Sequence, residues 1–152
     1  MEPPPGTGST PETYHRGRKR TEAFAGLAGA VALAYSFVRW KPFRVEISGP
    51  SMSSTLVAGD WALAVAPGRL GRWDIVVVEH PNRAGFEMVK RIVGVPDDLA
   101  PNGAILGPDE WWVEGDLPAE STDSRHFGPV RTEHIVAKVR LIYWPPSRRR
   151  LL

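Results

Sequence analysis

Hydrophobic and polar residues follow two different patterns along the chain, and the first is a single uninterrupted apolar segment. Residues 23–38 (AFAGLAGAVALAYSFV) contain no charged side chain, and basic residues lie on both sides of them. As a helix this segment spans about 24 Å, somewhat less than the roughly 30 Å of a bilayer's hydrocarbon core. Flanking arginine and lysine side chains and Trp40 can reach the interfaces and make up the difference. The pattern therefore predicts a transmembrane anchor over residues 22–41.

Two other interpretations of this segment stay open at the level of sequence. Basic residues, a short apolar run and the sequence Ala32-Leu33-Ala34 are also typical of a cleaved signal peptide. The length of the segment is equally compatible with a buried core helix. Because both flanks are basic, charge alone does not decide the orientation of an anchor.

From Pro42 onward the pattern changes to short apolar runs separated by turn residues, which is typical of β-strands. Six such runs lie at residues 43–47, 61–66, 74–79, 86–95, 111–114 and 135–144. Their spacing indicates antiparallel pairing. We therefore predict a mainly β fold, a compact antiparallel barrel-like domain preceded by one N-terminal transmembrane helix.

Charge is distributed unevenly, which bears on the partners of the chain. Residues 1–44 carry seven Lys/Arg and three Asp/Glu, whereas residues 45–147 carry nine Lys/Arg and fourteen Asp/Glu. Positive charge on a folded surface is expected of a nucleic-acid-binding domain, so this distribution argues against nucleic acid and favours a membrane surface. We divide the chain into a disordered basic tail (1–21), the anchor (22–41), a folded domain (42–147) and a basic C-terminal tail (148–152).

The stretch GPSMSSTL, residues 49–56, is rich in serine and raises the question of a serine nucleophile. A serine hydroxyl needs a base beside it to act as one. The chain has four histidines and no cysteine, and no serine lies in a G-x-S-x-G elbow. Nothing in the sequence therefore supports a Ser-His-Asp triad, although the sequence does not exclude one.

A lysine is the other candidate base. In the stretch GFEMVKRIVGVP, strand alternation places Lys90 on a face with Met88 and Ile92, while Arg91 shares the opposite face with Glu87. Burial lowers the pKa of an amine, and a neutral lysine can accept the proton of a serine. A lysine on an edge strand that reaches solvent is the competing interpretation, and the strand pattern alone favours it.

A third segment changes this balance. The stretch WWVEGDLPAESTDSRHFGPV, residues 111–130, follows the serine and lysine motifs in the chain. In this order the three motifs resemble those of the type I signal peptidase family, which run S-M-x-P-T-L, then K-R-V-x-G-x-P-G-D, then G-D-N with S-x-D-S-R. The resemblance covers about residues 22–146.

The resemblance implies a role for each matching residue. Ser51 corresponds to the nucleophile, Lys90 to the general base, and Ser121 to the serine that orients the lysine amine. Asp123 and Arg125 correspond to a structural ion pair near the site. The backbone N–H of Ser51 is implied as a donor of the oxyanion hole, and no metal or cofactor is implied.

The sequence also departs from the family pattern at several positions. Ser54 replaces a proline, Asp97 a common glycine, and Leu117 the asparagine of G-D-N, while Gly49 lies where some members place a serine. Glu114 follows Lys90 by only 24 positions, without the long insertion that many bacterial members carry there. In this respect the chain resembles compact members, the mitochondrial inner membrane proteases and the maturation protease of nickel superoxide dismutase.

The resemblance implies a membrane-anchored serine endopeptidase that removes N-terminal leader peptides from precursor proteins with small residues before the cut. It also implies a single-pass protein whose β domain lies on the extracytoplasmic side. Alternatives are a dedicated maturation protease for one client, such as the nickel superoxide dismutase precursor, and an inactive peptide-binding β domain. A self-cleaving repressor-like protease would require an N-terminal DNA-binding module, where this chain has a basic tail and an apolar segment.

Overall fold

The computed structural model describes residues 42–152, which form an antiparallel sheet of eight strands. The strands are β1 (Phe43–Glu46), β2 (Trp61–Val65), β3 (Ile75–Glu79), β4 (Glu87–Gly94), β5 (Glu110–Glu114), β6 (Val130–Arg131), β7 (Ile135–Trp144) and β8 (Arg150–Leu151). One short helix, α1 (Ser124–Phe127), and 3-10 turns at Pro118–Glu120, Thr132–His134 and Pro146–Arg148 complete this part of the chain. The predicted mainly β, antiparallel fold is confirmed.

The predicted membrane anchor lies outside the described residues. None of the helices within residues 42–152 is long and apolar enough to cross a membrane.

The strands pair in the order β1-β2-β7-β3-β4-β5-β6, with β8 added to β7. The two end strands, β1 and β6, do not pair with each other within the described residues, so hydrogen bonds do not close the sheet into a complete barrel there. β7 is long enough to pair with β2, β3 and β8 at different points along its length. The end position of β1 leaves one of its sides available to an extended peptide.

The core lies on both faces of β3, which explains the continuous apolar run of that strand. Ile75 and Val77 pack in one cluster, and Val76 and Val78 pack in another. Since alternate side chains of a strand point to opposite faces, a strand between two cores must be apolar throughout. The first cluster also contains Ile47, Met52, Leu56, Ala62, Ala64, Ala137, Val139 and Ile142, and the second Ile92, Val113, Val130 and Ile135.

The register of β4 against β3 brings a lysine into this interior. Lys90 lies opposite Val76, and only 3% of its surface is exposed. Ile92, two positions further along the same face, is fully buried. The expected apolar surroundings of Lys90 are therefore present, and the competing interpretation of a solvent-reaching lysine is wrong.

Two of the eight strands carry no clear signal in the sequence. β6 and β8 are two residues long, too short to show an alternating pattern. β8 lies in residues 148–152, which we had set apart as a basic tail, yet it pairs with β7 through Leu141 and Ile142. Leu152 packs against the first core cluster. The last residues of the chain are thus part of the folded sheet.

The turn after β4 shows why glycine is common at one of its positions in the family. Asp97 has φ +68°, a left-handed conformation in which a side chain costs about 1 kcal/mol relative to glycine. Its backbone N–H donates to the carbonyl of Leu106, so the turn is fixed by a hydrogen bond across the following hairpin. The aspartate at this position therefore adopts the left-handed conformation at a cost in stability.

We expect Asp97→Gly to raise the free energy of unfolding by up to about 1 kcal/mol, because glycine adopts this φ without a steric penalty. Asp97→Ala should lower it, since alanine adopts the left-handed region less readily than aspartate does. Urea unfolding of the full chain in detergent, followed by tryptophan fluorescence, measures both. A glycine variant that is less stable than the alanine variant would contradict this account of the turn.

Candidate active site

Ser51 lies in the loop that connects β1 and β2. The loop is anchored by Met52 and Leu56, whose side chains are 1% and 0% exposed in the first core cluster. Short turns fix the backbone between these anchors, since the N–H groups of Thr55 and Leu56 both donate to the carbonyl of Met52. Ser51 therefore sits on a rigid turn, and its side chain lines a cleft of about 590 Å³ together with Lys90.

The amine of Lys90 contacts two serine hydroxyls. Its Nζ lies 3.1 Å from Oγ of Ser51 and 3.0 Å from Oγ of Ser121. Lys90 lies in β4 and Ser51 in the β1–β2 loop, while Ser121 directly follows the 3-10 turn Pro118–Glu120. Three distant parts of the sequence thus meet at one nitrogen atom.

Behind Ser121 lies a buried carboxylate. Oγ of Ser121 donates to Oδ2 of Asp123 at 2.6 Å, and the backbone N–H of Gly115 donates to the same oxygen at 3.0 Å. Asp123 is 0% exposed and caps the N-terminus of α1. Arg125 donates to both of its oxygens, with Nε 2.9 Å from Oδ1. The expected ion pair between Asp123 and Arg125 is therefore present in the structure.

The hydroxyl of Ser121 has a single proton, and this decides the direction of its hydrogen bonds with Asp123 and Lys90. Because that proton is donated to the carboxylate of Asp123, Oγ of Ser121 can only accept from an N–H of Lys90. A neutral amine has two N–H bonds and one lone pair. Fixing one N–H on Ser121 orients the amine so that its lone pair can receive the hydroxyl proton of Ser51.

The surroundings of the amine lower its affinity for a proton, beside a carboxylate that stays ionised. Burial lowers the pKa of Lys90; the charge of Asp123 partly opposes this, and the charge of Arg125 adds to it. Burial alone would raise the pKa of Asp123, but hydrogen bonds from Arg125, Gly115 and Ser121 bring it to about 2. Asp123 therefore stays charged at neutral pH. The negative charge of Asp123 raises the pKa of Lys90, and the positive charge of Arg125 partly cancels this effect.

Gly115 is required where β5 leads into the third motif. A Cβ atom at this position would lie 2.7 Å from Cβ of Ser121 and 2.7 Å from the carbonyl oxygen of Ser51. Real Cβ atoms do not approach other atoms so closely, so a side chain here would push the two serines apart. The absence of a side chain lets the backbone pass between them while its N–H binds Asp123.

A second network lies next to the first and involves Asp116. Both Nε and Nη2 of Arg91 donate to its carboxylate at 2.8 Å, and the hydroxyl of Thr55 donates at 2.6 Å. The sequence had placed Arg91 on one face with Glu87, but the structure pairs it with Asp116 instead. Neither Asp116 nor Thr55 has a role predicted from the sequence, although Asp116 belongs to the G-D pair of the third motif.

Hydrogen bonds accommodate two departures from the family pattern, at Ser54 and at Leu117. Ser54, in place of a proline, donates its hydroxyl to Asp116 at 3.0 Å, so a hydrogen bond restrains the turn where a proline ring would otherwise do so. Leu117, in place of an asparagine, donates its backbone N–H to the carbonyl of Ser51 at 2.9 Å. That contact uses no side chain, so the change at Leu117 does not remove it.

The backbone N–H of Ser51 has no acceptor among residues 42–152. It lies in the turn beside the Ser51 hydroxyl and is free to bind an oxygen that carries developing negative charge. Gly49, at the position where some family members have a serine, offers no side-chain donor to assist it.

The histidines of the folded part have other surroundings. His80 lies in the cleft with its ring centre 5.0 Å from that of Phe127, and His126 takes part in the capping box of α1 with Asp123. His134 ends a 3-10 turn. Within the described part of the chain, the only side chain that hydrogen-bonds to Oγ of Ser51 is that of Lys90. Residues 42–152 also hold no group of three or more His, Asp or Glu side chains arranged to bind a metal ion.

Comparisons with known proteins agree with the motifs. The chain matches the family described as signal peptidase, peptidase S26, over residues 18–99 and 99–144. It is similar to mitochondrial ATP-independent inner membrane protease subunit 1a of Arabidopsis thaliana, at 35% identity covering 67% of this chain and 70% of the relative. It is also similar to mitochondrial inner membrane protease subunit 1 of Schizosaccharomyces pombe, at 37% identity covering 68% and 74%.

Subunit 2 of the mitochondrial inner membrane protease of Saccharomyces cerevisiae is 33% identical and covers 68% of each chain. These relatives are the compact type that the short distance between Lys90 and Glu114 indicated. The predicted family resemblance is therefore confirmed, and the chain belongs to the signal peptidase family, peptidase S26.

Proposed function

We propose that this chain is a serine endopeptidase in which Ser51 is the nucleophile and Lys90 the general base, and that it removes N-terminal leader peptides from precursor proteins. The observation that carries the proposal is the 3.1 Å contact between Nζ of Lys90 and Oγ of Ser51, at an amine whose second contact is Ser121. Membership of the signal peptidase family supplies the reaction class. An inactive peptide-binding domain would not need a buried lysine, and burying an amine lowers the stability of the fold.

In the proposed mechanism, Ser51 attacks the scissile carbonyl carbon while its proton passes to Nζ of Lys90. The negative charge that develops on the carbonyl oxygen is stabilised by the backbone N–H of Ser51. Lys90 then gives its proton to the departing amine, and an acyl-enzyme remains on Ser51. Water, deprotonated by Lys90, hydrolyses the ester, and the proton returns to Ser51 as the leader's new carboxylate leaves.

Ser121, Asp123 and Arg125 serve this cycle without touching the substrate. Ser121 fixes the direction of the lysine lone pair, and Asp123 fixes the single proton of Ser121. Arg125 keeps Asp123 ionised and offsets its charge near the amine. The three residues are therefore proposed as positioning residues rather than as parts of the reacting pair.

The lining of the cleft supports the binding of an extended peptide. β1, the first residues of β4, Ser51 and Lys90 all contribute to this lining. Within the described residues β1 pairs only with β2, so its outer edge has unpaired backbone groups. A leader peptide can add to such an edge as a further strand, which brings its scissile bond to Ser51. The preference for small residues before the cut rests on the family resemblance.

We also propose that residues 22–41 anchor the chain in a membrane, with residues 1–21 on the cytoplasmic side and the β domain on the other. The support for the anchor is the uncharged run of residues 23–38, together with the names of the relatives, which are inner membrane proteases. The orientation rests on the family resemblance. The mildly acidic domain gives no reason to expect a nucleic-acid partner, and the mechanism requires no metal or cofactor.

The proposed active site predicts the pH dependence of cleavage. Only the neutral form of Lys90 can accept a proton, so kcat/KM should rise tenfold per pH unit and level off above the folded-state pKa of this residue. Because burial lowers that pKa, the midpoint should lie below the 10.5 of an ordinary lysine. The rate is measured with the full chain in detergent on a fluorogenic peptide that has alanine one and three residues before the cut.

In the same assay, Ser51→Ala and Lys90→Met should each lower kcat by roughly 10,000-fold. Ser48→Ala and Lys138→Met are matched controls, since Ser48 lies in the same cleft and Lys138 pairs with Asp74 away from Ser51. Both controls should remain active. An active Lys90→Met variant would show that Lys90 is not the base. The histidines of the folded part would then be the candidates for this role.

The client and the membrane anchor are tested together by processing in vesicles. We expect the full chain to remain with the lipid after extraction at alkaline pH and to cleave a secretory precursor. Cleavage of a nickel superoxide dismutase precursor alone would instead indicate a dedicated maturation protease. Recovery of the chain in the alkaline supernatant would contradict the proposed anchor.

A further inference from the structure

The turn that carries Ser51 belongs to a loop that is closed at its base. Residues 47–60 leave and rejoin the sheet at neighbouring points, where the N–H of Ile47 donates to the carbonyl of Asp60 at 2.9 Å. The N–H of Gly59 donates back to the carbonyl of Ile47 at 2.8 Å. The position of Ser51 therefore depends on what fixes the rest of this loop, in particular the residues that follow the turn.

Thr55, four positions after Ser51, is held from two directions. On the side of the active site, its hydroxyl contacts Nη2 of Arg91 at 2.8 Å and Oδ2 of Asp116 at 2.6 Å. On the other side, its carbonyl oxygen accepts from Nη2 of Arg148 at 3.3 Å and also from Arg150. Two arginines from the end of the chain thus hold the backbone of the nucleophile's loop.

Arg148 is itself fixed by a buried carboxylate in the same loop. Its Nε and Nη2 donate to the two oxygens of Asp60 at 2.7 and 2.9 Å, and Asp60 is 1% exposed. Oδ2 of Asp60 also accepts the backbone N–H of Val57 at 2.9 Å. A single guanidinium group therefore joins the closing residue of the loop to the carbonyl of Thr55, in the two-pronged geometry that arginine alone provides.

The segment that supplies these arginines is tied to the sheet. Arg148 ends the 3-10 turn Pro146–Arg148, and Arg150 lies in β8, which pairs with β7. The N–H of Leu152 donates to the carbonyl of Arg140 at 2.9 Å. The C-terminal segment is thus a firm support from which Arg148 and Arg150 can restrain a loop more than 80 positions earlier in the sequence.

We propose that Arg148, assisted by Arg150, is a positioning residue for the proposed nucleophile: it holds the loop of residues 47–60 so that the Ser51 hydroxyl stays in hydrogen-bonding distance of the Lys90 amine. This inference rests on the proposed function, since it assumes that Ser51 and Lys90 are the reacting pair. Arg91 and Asp116 hold the loop through the hydroxyl of Thr55, and Arg148 and Arg150 hold it through the carbonyl oxygen of Thr55. Without the contacts to the carbonyl oxygen, this part of the loop keeps only those to the hydroxyl.

The test is a variant that removes the contact without leaving a buried charge unpaired. Arg148→Met alone would strand the carboxylate of Asp60, so we combine it with Asp60→Asn, which still accepts the N–H of Val57. In the full chain in detergent, we expect kcat on the same fluorogenic peptide to fall 10- to 100-fold, as for a displacement of a reacting atom by about 1 Å. KM should change less than about twofold, since the peptide lies along β1 and β4.

The midpoint of the pH–rate profile should not move, because burial, Asp123 and Arg125, which set the pKa of Lys90, are not altered by the variant. Arg149→Met is the matched control: it removes the same charge from the same segment, but Arg149 donates to the carbonyl of Tyr143 and not to the loop. It should keep the wild-type kcat. Arg150→Met retains the Asp60 pair and loses only the contact with Thr55, so it should lower kcat by a few-fold while folding normally.

Several results would overturn the inference. A double variant with wild-type kcat and a lower melting temperature would show that Arg148 only stabilises the fold. If the double variant does not fold, an Arg150→Met variant with unchanged kcat would decide against the inference. Failure of the proposed function has a different signature, since Ser51→Ala would then retain activity whatever the arginine variants do.

Discussion

The proposed catalytic function depends on where one proton lies, the hydroxyl proton of Ser121. Its donation to Asp123 makes Oγ of Ser121 an acceptor, and an acceptor beside a buried amine fixes one N–H of Lys90. Of the two positions that remain on a neutral amine, one N–H and one lone pair, the lone pair can then accept the proton of Ser51. Had the Ser121 proton pointed at Lys90 instead, it would have occupied the lone pair that the proposed reaction needs.

Opposing effects around the amine set its affinity for a proton. Removing Lys90 from water favours its neutral form, while the ionised Asp123 behind Ser121 favours the ammonium. Arg125 neutralises much of that carboxylate and also opposes a second positive charge nearby. A charged Asp123 and a proton-accepting Lys90 can therefore lie one serine apart, which neither burial nor pairing alone would permit.

Much of the fold and part of the site follow from the sequence, because both depend on short-range patterns. Strand alternation placed Lys90 among apolar neighbours, and the apolar run of residues 74–79 predicted the strand β3. Asp116 was not predicted as the partner of Arg91, because alternation describes one strand, whereas Asp116 comes from the segment after β5. Residues 148–152 looked like a solvated tail because three successive arginines give no sign of the buried Asp60 or of the Thr55 carbonyl.

The departures from the family pattern illustrate the same limit. Ser54 lacks the ring of the proline that it replaces, yet its hydroxyl donates to Asp116 and restrains the turn through a hydrogen bond. Asp97, in place of a glycine, has a positive φ, which is unfavourable for a residue with a side chain. Sequence alone does not separate a replacement that is compensated by a contact from one that is merely tolerated, because the contacts are long-range.

The most direct test of the central claim is the titration of Lys90 itself in the folded protein. NMR of the full chain in detergent, labelled with ¹³C at lysine Cε, would follow all four lysines, and the Lys90→Met variant would assign the signal. We predict that Lys90 loses its proton at a pH below the ordinary lysine value of 10.5. A Lys90 that titrates at or above this value would contradict its role as the base.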